Sequence, residues 1–137
     1  MIIFDTAVLV AAASAKDRHH SRCADLLARR RRPFLVPSPI IAEVCYFLER
    51  DRGSHVESAF LRSFREGDLE LVELIVDDLD RMAELVDTYD DLPLGGVDAA
   101  VIAVAERLRA TEIATLDRRD FTIVRPQHVT AFTLLPD

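Results

Sequence analysis

The chain has 137 residues, of which 50% are hydrophobic and only four are glycine, so it can bury one sizeable core and is too apolar to be disordered. Its 24 acidic and 17 basic residues give a formal charge of −7, which argues against a protein that coats DNA without sequence preference. Asp5 interrupts the first apolar residues, and the apolar run over 7–13 is far short of the ~20 residues that span a bilayer. We therefore predict a single globular domain over residues 1–137, without a membrane segment and located in the cytoplasm.

The first residues predict a βα unit. Ile2 to Phe4 form a short apolar strand, and an apolar helix follows to Ala13. Ligands of α/β proteins gather outside the carboxyl ends of parallel strands, and Asp5 lies at that position. Its role stays open between a site carboxylate and a helix cap, because Asp5 or Thr6 also suits the start of the helix.

The next segment predicts an amphipathic helix over 17–32, followed by a second strand over 34–36. The side chains on the inward face of this helix are Cys23, Leu26 and Leu27. Pro33 ends the helix. Its last four residues, 29–32, are all arginine, and they either complement the helix dipole or contact RNA.

A carboxylate in an unexpected position, Glu43, lies in the helix predicted over 40–52. Ser38 is placed to cap that helix. Glu43 has Ile40 and Phe47 as neighbours on its face, whereas the charged residues cluster at the end of the helix. Two interpretations remain open: a site carboxylate, or an acid that favours the helix dipole.

The middle of the chain predicts a helix over 55–66, a strand over 69–72 and a helix over 77–89. The last helix is expected to present four apolar side chains inward, namely Leu79, Met82, Leu85 and Val86. The many acids of these helices are typical of solvated faces. A final strand is predicted over 132–135.

Two further carboxylates stand where core packing gives no reason for them. Asp98 opens a buried apolar helix after a Gly-Gly turn and faces inward with its apolar residues. A strand over 113–116 ends in Asp117, and residues 118–121 are predicted to form a turn. Thr115 lies on the same side of the strand as Asp117, where it either binds a carboxylate or is an ordinary β-branched strand residue.

Four of these acids are expected to converge. Parallel strands end at one edge of a sheet, so Asp5 and Asp117 can meet there and be joined by Glu43 and Asp98 from helix starts. Four like charges raise one another's pKa, an arrangement that persists where a divalent cation compensates. Oxygen ligands without histidine or cysteine favour Mg²⁺, with Mn²⁺ as a substitute, and the four histidines show no zinc-binding spacing. The chemistry indicated is hydrolysis of a phosphodiester.

A family resemblance lies in four segments, which read IIFDTAVLVA, PSPIIAEVCYFL, LPLGGVDAAVIAVAERL and IATLDRRDF. Taken in order across nearly the full length, they resemble the PIN-domain family, and within it the VapC-type toxin ribonucleases. The resemblance implies a PIN-like α/β fold with a central, mostly parallel sheet flanked by helices on both faces. It also implies a Mg²⁺-dependent endoribonuclease that acts as the toxin of a type II toxin–antitoxin pair.

The resemblance assigns roles to particular residues. The acidic quartet it implies is Asp5, Glu43, Asp98 and Asp117. The predicted metal ligands among them are Asp5, Asp98 and Asp117. The residues predicted to support them are Thr6, Thr115 and Asp120, and it stays open whether Asp117 or Asp120 is the better ligand. Arg118 and Arg119 are predicted to bind RNA, because a net-acidic protein needs local positive charge to hold phosphate.

The resemblance further implies a homodimer, a cognate antitoxin protein that blocks the site, and a structured RNA substrate such as tRNA or ribosomal RNA. Two alternatives are kept. A phosphoaspartyl hydrolase would use Asp5 as its nucleophile, but Ala7 stands where the second acid of its Asp-x-Asp pattern belongs. A noncatalytic PIN-like interaction module is the other alternative, and the presence of all four acids speaks against it.

Overall fold

The computed structural model describes residues 1–137 as an α/β fold with five strands and seven helices. Their bounds are β1 Ile2–Phe4, α1 Thr6–Ala13, α2 His20–Arg29, β2 Phe34–Pro37, α3 Ser38–Arg52, α4 Ser54–Arg62, β3 Glu70–Val72, α5 Val76–Thr88, α6 Gly96–Leu108, β4 Glu112–Ala114, α7 Arg118–Ile123 and β5 Thr133–Leu135. None of the helices combines the length and apolar character that a membrane crossing requires.

All five strands form one parallel sheet in the order β3-β2-β1-β4-β5. Ile3 of β1 is in register with Leu35 of β2 on one side and with Ile113 of β4 on the other. The predicted α/β class is confirmed, and the sheet is parallel throughout. The chain moves outward from β1 to β3 and then from β4 to β5 on the other side, so the carboxyl ends of β1 and β4 flank a switch point. Ligands of α/β proteins bind at such a point.

Helices cover both faces of the sheet, as predicted. α1 packs against α2 and α3, and α3 packs against α4, whereas α5 packs against α6. Crossovers between parallel strands are right-handed, which puts α1 to α4 on one face and α5 and α6 on the other.

Helix α6 is the most deeply buried helix. All seven residues over 99–105 are buried, and four of the seven are alanine. Small side chains let the backbone of this helix lie close to β1 and β2, which it contacts. Asp98 directly precedes the buried segment, so the packing of α6 fixes where that carboxylate lies.

The largest differences from the predicted elements concern three segments, and the other elements differ from their predicted bounds by at most two residues at an end. Helix α2 starts at His20 because the Asp17 carboxylate accepts a hydrogen bond from His19 N at 2.8 Å, and such a local turn competes with helix. Helix α4 ends at Arg62, and turns lead from there to Gly67, whose φ is +87°. The turn predicted over 118–121 is wrong, because these residues open the short helix α7.

Two side-chain predictions are also wrong. Ser38 does not cap α3; it is the first residue of the helix, whose start is set by the flanking prolines Pro37 and Pro39. Leu79 and Val86 of α5 are exposed, at 51% and 37%. Both lie roughly 100–120° around the helix from buried Leu85 by the ~100° advance per residue. The face of α5 that packs on α6 is therefore narrower than the set of apolar residues in the sequence pattern.

The contact between α5 and α6 contains two charged pairs. Asp78 is buried and accepts hydrogen bonds from Arg107 Nε at 3.0 and 3.1 Å and from Arg107 Nη2 at 3.0 Å. Asp78 also accepts from Ile75 N at 3.0 Å, which closes the first turn of α5. Glu106 accepts from Arg81 at 2.7 and 3.1 Å. These pairs clamp α5 to the helix that carries Asp98.

Replacing Asp78 by alanine is expected to lower the free energy of unfolding by about 2–3 kcal/mol, because Arg107 then loses its charged partner while it stays partly buried. Chemical denaturation measures the change. Asp80→Ala is the matched control, since Asp80 is an exposed acid on the same helix and its loss should cost little. Equal stability of the two variants would contradict the clamp.

Candidate functional site

Asp5 lies at the carboxyl end of the central strand and is 6% exposed. Its backbone N donates to Ala114 O at 2.9 Å, which extends the β1–β4 pairing by one residue. Its two carboxylate oxygens have different partners. Oδ1 accepts from Thr6 N at 2.8 Å, which makes Asp5 the N-cap of α1, and Oδ2 accepts from Thr115 Oγ1 at 2.9 Å. Asp5 therefore caps the helix and lies at the site, so its two interpretations are compatible.

Thr115 connects two of the predicted acids. Its buried hydroxyl donates to Asp5 and accepts from Asp117 N at 2.9 Å. Because Thr115 directly follows β4, its hydroxyl links the end of that strand to the end of β1. The Thr115 side chain thus binds a carboxylate, and it is more than an ordinary β-branched strand residue.

Glu43 reaches the site from the second turn of α3. Helix α3 begins directly after β2, so its first turns lie at the same edge of the sheet. The buried Thr6 hydroxyl donates to Glu43 Oε1 in a short hydrogen bond. Thr6 is therefore the link between Glu43 and Asp5, its neighbour in sequence.

Three carboxylates lie close enough to share one cation. One oxygen from each of Asp98, Asp117 and Asp120 lies within 4.8 Å of the others. Asp98 comes from the first turn of α6, and Asp117 is the N-cap of α7, accepting from Asp120 N at 3.3 Å. Asp5 lies outside this closest group, although it was among the predicted ligands.

Asp120 is thus a full member of the cluster, although only a supporting role was predicted for it. Residues 118–121 were expected to be a turn, which left its side chain without a defined direction. The signal was present in the spacing, because Asp117 and Asp120 have the N-cap and N3 separation that begins many helices.

The pKa of Asp98 is raised from 3.8 to about 7. Burial away from water is the main cause, and the negative charges of Asp5, Asp117, Asp120 and Glu43 add to it. Burial also raises the pKa of Asp5, opposed by its hydrogen bonds from Thr6 and Thr115. The pKa of Asp120 is raised by burial and then by the charge of Asp117. The ionised carboxylates of the site therefore destabilise the metal-free folded protein, and a bound cation would offset this destabilisation.

The donor set fits a hard divalent cation. All its atoms are carboxylate oxygens, and the one arginine pairing with the cluster is the distant contact of Arg119 Nε with Asp120 at 3.8 Å. Mg²⁺ and Mn²⁺ prefer such ligands and retain several waters. The residues able to hold the ion are Asp98, Asp117 and Asp120, with Asp5 beside them.

The arginines predicted to bind RNA lie at the start of α7 and have contacts within the chain. Arg118 donates to the backbone oxygens of Leu134 at 3.3 Å and Pro136 at 2.6 Å. Arg119 donates to Leu92 O at 2.7 Å, and its side chain remains 69% exposed. Both residues are exposed, but Arg118 makes two hydrogen bonds within the chain and Arg119 makes one.

The run Arg29–Arg32 lies at the opposite edge of the sheet. It precedes β2, and two of its members pair with acids at the amino ends of other strands. Arg30 bonds to Glu112, the first residue of β4, and Arg32 bonds to Asp68, two residues before β3, at 2.7 Å. The run is therefore remote from the acidic cluster.

The fold and the cluster define a class of protein: an α/β protein whose carboxylates gather at the switch point of a parallel sheet. The sequence matches the family model for the PIN domain over residues 2–125. It is 31% identical over 135 residues to ribonuclease VapC26 of Mycobacterium tuberculosis, which covers 98% of this chain and 100% of that protein. The chain belongs to the PIN-domain family and, within it, to the VapC-type toxin ribonucleases.

Solved structures have the same fold. M. tuberculosis VapC20, described as a toxin that cleaves the sarcin–ricin loop, superposes with a TM-score of 0.81 at 19% identity, over 87% of this chain and 92% of that one. A toxin–antitoxin complex from Klebsiella pneumoniae gives a TM-score of 0.71 at 19% identity, over 90% and 92%. VapBC2 of Rickettsia felis, bound to a promoter DNA fragment, gives 0.71 at 18% identity, over 99% and 100%.

The stability of the metal-free protein is expected to fall as pH rises from about 4 to above 7. The folded-state pKa of Asp98, about 7, exceeds its ordinary value of 3.8, so the folded state binds this proton more tightly. The stabilisation is complete below the ordinary pKa and is lost as pH rises through the folded pKa. Thermal melts in chelator across this range should show a smaller loss for Asp98→Asn.

Asp80→Asn removes the same charge from an exposed position and is the control for net charge. It should retain the pH dependence of the wild type. A pH dependence in Asp98→Asn as steep as that of the wild type would contradict the assignment to Asp98.

Proposed function

We propose that this protein is a metal-dependent endoribonuclease, the toxin of a type II toxin–antitoxin pair, that hydrolyses phosphodiesters in structured RNA such as tRNA or ribosomal RNA. The observation that carries the proposal is the group of three carboxylates within 4.8 Å at the switch point. RNA of these classes is found in the cytoplasm, which is where we assign the activity. The named activities of the VapC relatives support the same substrate class.

The proposed division of labour follows from the contacts at the site. Asp98, Asp117 and Asp120 would hold Mg²⁺ or Mn²⁺, with Asp5 beside them. When bound, the cation supplies charge stabilisation to the phosphodiester as negative charge develops on it. The hydrogen bonds from Thr6 N and Thr115 hold the Asp5 carboxylate in one orientation, so the ligand geometry is fixed before the substrate arrives.

Glu43 is the proposed proton acceptor. Thr6 occupies its Oε1, and Oε2 has no partner within the chain, so this oxygen is free to take a proton from water. The oxygen of that water attacks phosphorus, the bond from phosphorus to one ribose oxygen breaks, and the departing oxygen ends as a hydroxyl. The reaction consumes water and needs no other reactant.

Arg119 is the proposed contact to substrate phosphate near the cluster. Its side chain is 69% exposed, and its single hydrogen bond, to Leu92 O, keeps it beside the loop that leads to Asp98. Arg118 has a more structural setting, because the backbone oxygens near the C-terminus occupy it. Both remain candidates for RNA binding, with Arg119 the stronger.

An antitoxin partner is part of the proposal. The acidic cluster would attract a basic side chain of such a partner, and an apolar groove offers a second surface. The groove has a volume of about 520 Å³ and lies between α1, α2 and α4, with Leu9, Leu27, Val56, Ala59 and Phe60 among its lining residues. Structural neighbours crystallised as toxin–antitoxin complexes support this kind of partner.

A homodimer is the proposed assembly. Helix α5 and the residue before it expose four apolar side chains, Ile75, Val76, Leu79 and Val86. Neighbouring exposed side chains of this kind are typical of a surface between copies.

Purified protein, freed of antitoxin, is expected to cleave RNA in Mg²⁺ or Mn²⁺ and to be inactive in chelator. Asp98→Asn keeps the shape of the side chain and removes its charge, so it should lower the cleavage rate by roughly 10²-fold or more. Gel analysis of RNA fragments measures the rate, and Asp80→Asn should match the wild type.

Cleavage that persists in chelator would overturn the metal requirement. A wild-type protein that folds, binds Mg²⁺ and cleaves none of the cellular RNAs would favour the noncatalytic PIN-like module instead. Asp5 and Asp120 are the two candidates for the ligand that joins Asp98 and Asp117. The Mn²⁺ affinities of Asp5→Asn and Asp120→Asn distinguish them, because losing a ligand weakens Mn²⁺ binding more than losing a neighbouring charge.

A small protein that copurifies with the toxin is expected to suppress its ribonuclease activity, with activity restored on its removal. Ala59→Arg puts a charge into the apolar groove at an exposed position and should weaken this association by about tenfold or more, the scale of one unpaired interface charge. Ala131→Arg, at an exposed alanine in the loop before β5, is the control. Full ribonuclease activity of the intact complex would count against a partner that blocks the site.

A further inference from the structure

Helix α3 has a continuous stripe of side chains that starts at the acidic site. Glu43, Tyr46, Phe47 and Arg50 occupy positions i, i+3, i+4 and i+7, so they share one face of the helix. The core face of the same helix is formed by Ile40, Val44 and Leu48, all fully buried. The stripe is therefore separate from the packing that holds α3 on the sheet.

The stripe contains two aromatic rings beneath a guanidinium. Tyr46 is 60% exposed, and its ring centroid lies 5.3 Å from that of Phe47 in an edge-to-face arrangement. The Arg50 guanidinium carbon lies 5.7 Å from the centroid of Tyr46 and 5.1 Å from that of Phe47. Although Phe47 and Arg50 contact the ring, most of the Tyr46 side chain remains accessible to a ligand.

The stripe is continuous with the proposed site. Glu43 and Tyr46 are about 4.5 Å apart along the axis, and Glu43 and Arg50 about 10.5 Å, from the 1.5 Å rise per residue. Side chains of an α-helix lean towards its N-terminus, and the N-terminus of α3 lies at the carboxyl edge of the sheet. An aromatic side chain on this stripe therefore leans towards the end of α3 at which Glu43 lies.

We propose that Tyr46 is a stacking surface for an RNA base next to the cleaved phosphodiester, and that Arg50 binds the phosphate of the same strand. This inference rests on the proposed ribonuclease function and adds substrate-positioning residues to it. Stacking on an aromatic ring accepts any base and contributes substantially to single-strand binding. Arg50 is paired with Asp51 at 2.8 and 3.0 Å on the surface, and an exposed pair of that kind is readily exchanged for phosphate.

The composition of the chain supplies a direct optical test. The protein has two tyrosines and no tryptophan, so in Tyr89→Phe the only strong fluorophore is Tyr46. Titrating this variant with a twelve-nucleotide oligouridine, in an Asp98→Asn background that slows cleavage, should quench the fluorescence as a base stacks on the ring. The control is Tyr46→Phe in the Asp98→Asn background with Tyr89 retained. Its only tyrosine is Tyr89, and its fluorescence should show no such quenching.

Binding of the labelled oligouridine, measured by anisotropy, should weaken about 5- to 100-fold in Tyr46→Ala, the range known for loss of one stacked base. Tyr46→Phe should retain most of the affinity because it keeps the ring. Arg50→Gln should lower the slope of log affinity against log salt by about one. Leu61→Ala, a truncation at an exposed apolar side chain of α4, should change neither quantity.

The inference is overturned if Tyr46→Ala binds as well as its parent, if Tyr46 fluorescence is unaffected by RNA, or if the oligouridine does not bind. It is also overturned if Tyr46→Ala lowers the molecular mass in solution, because the ring would then belong to an interface between copies. The proposed function fails separately if the oligouridine binds and quenches Tyr46 fluorescence but the wild-type protein cleaves no RNA. If the protein cleaves RNA equally well with and without the Tyr46 ring, the stacking proposal is rejected and the ribonuclease proposal stands.

Discussion

The hydrogen bonds of the Asp5 carboxylate are the interaction on which the geometry of the site depends. One oxygen is held by the backbone at the start of α1, and the other is held by the Thr115 hydroxyl at the end of β4. Thr115 also accepts a hydrogen bond from the backbone of Asp117, so a single hydroxyl sets the separation between two strand ends. The acids on either side of the switch point are therefore positioned by the β1–β4 pairing itself.

Clustering these acids opposes folding, and other parts of the molecule offset the cost. Burial and like charge raise the pKa of Asp98 to about 7, which means that its ionised form is disfavoured in the metal-free protein. The N-terminal position of Asp98 in α6 lowers this cost slightly through the helix dipole. The larger compensation is packing, because α6 is buried along most of its length and is clamped to α5 by Arg107 and Arg81. The element that carries the least favourable charge is thus the most firmly held.

The distribution of positive charge constrains how this protein can bind RNA. The chain is net acidic, and Arg30 and Arg32, in its only run of four arginines, pair with acids at the edge of the sheet away from the cluster. Near the site, Arg118 is engaged by backbone oxygens, which leaves few free cations. Affinity for phosphate alone is therefore limited. Stacking of a base on the exposed Tyr46 ring, as proposed above, would supply binding energy that does not depend on net charge.

The sequence by itself determined the α/β class and the parallel sheet, because alternating apolar strands and helices are typical of that class. It also predicted that acids following the strands lie near one another, because parallel strands end at one edge of a sheet. It also located β1, from Ile2 to Phe4, with its bounds intact. Tertiary structure decided which carboxylates are nearest to one another. The grouping of Asp120 with Asp98 and Asp117 depends on α7 being a helix, and a six-residue helix is too short to have a reliable apolar period. The exposure of Leu79 and the remote position of Arg29–Arg32 were likewise undecided, because periodicity gives the faces of a helix and only packing determines which face is covered.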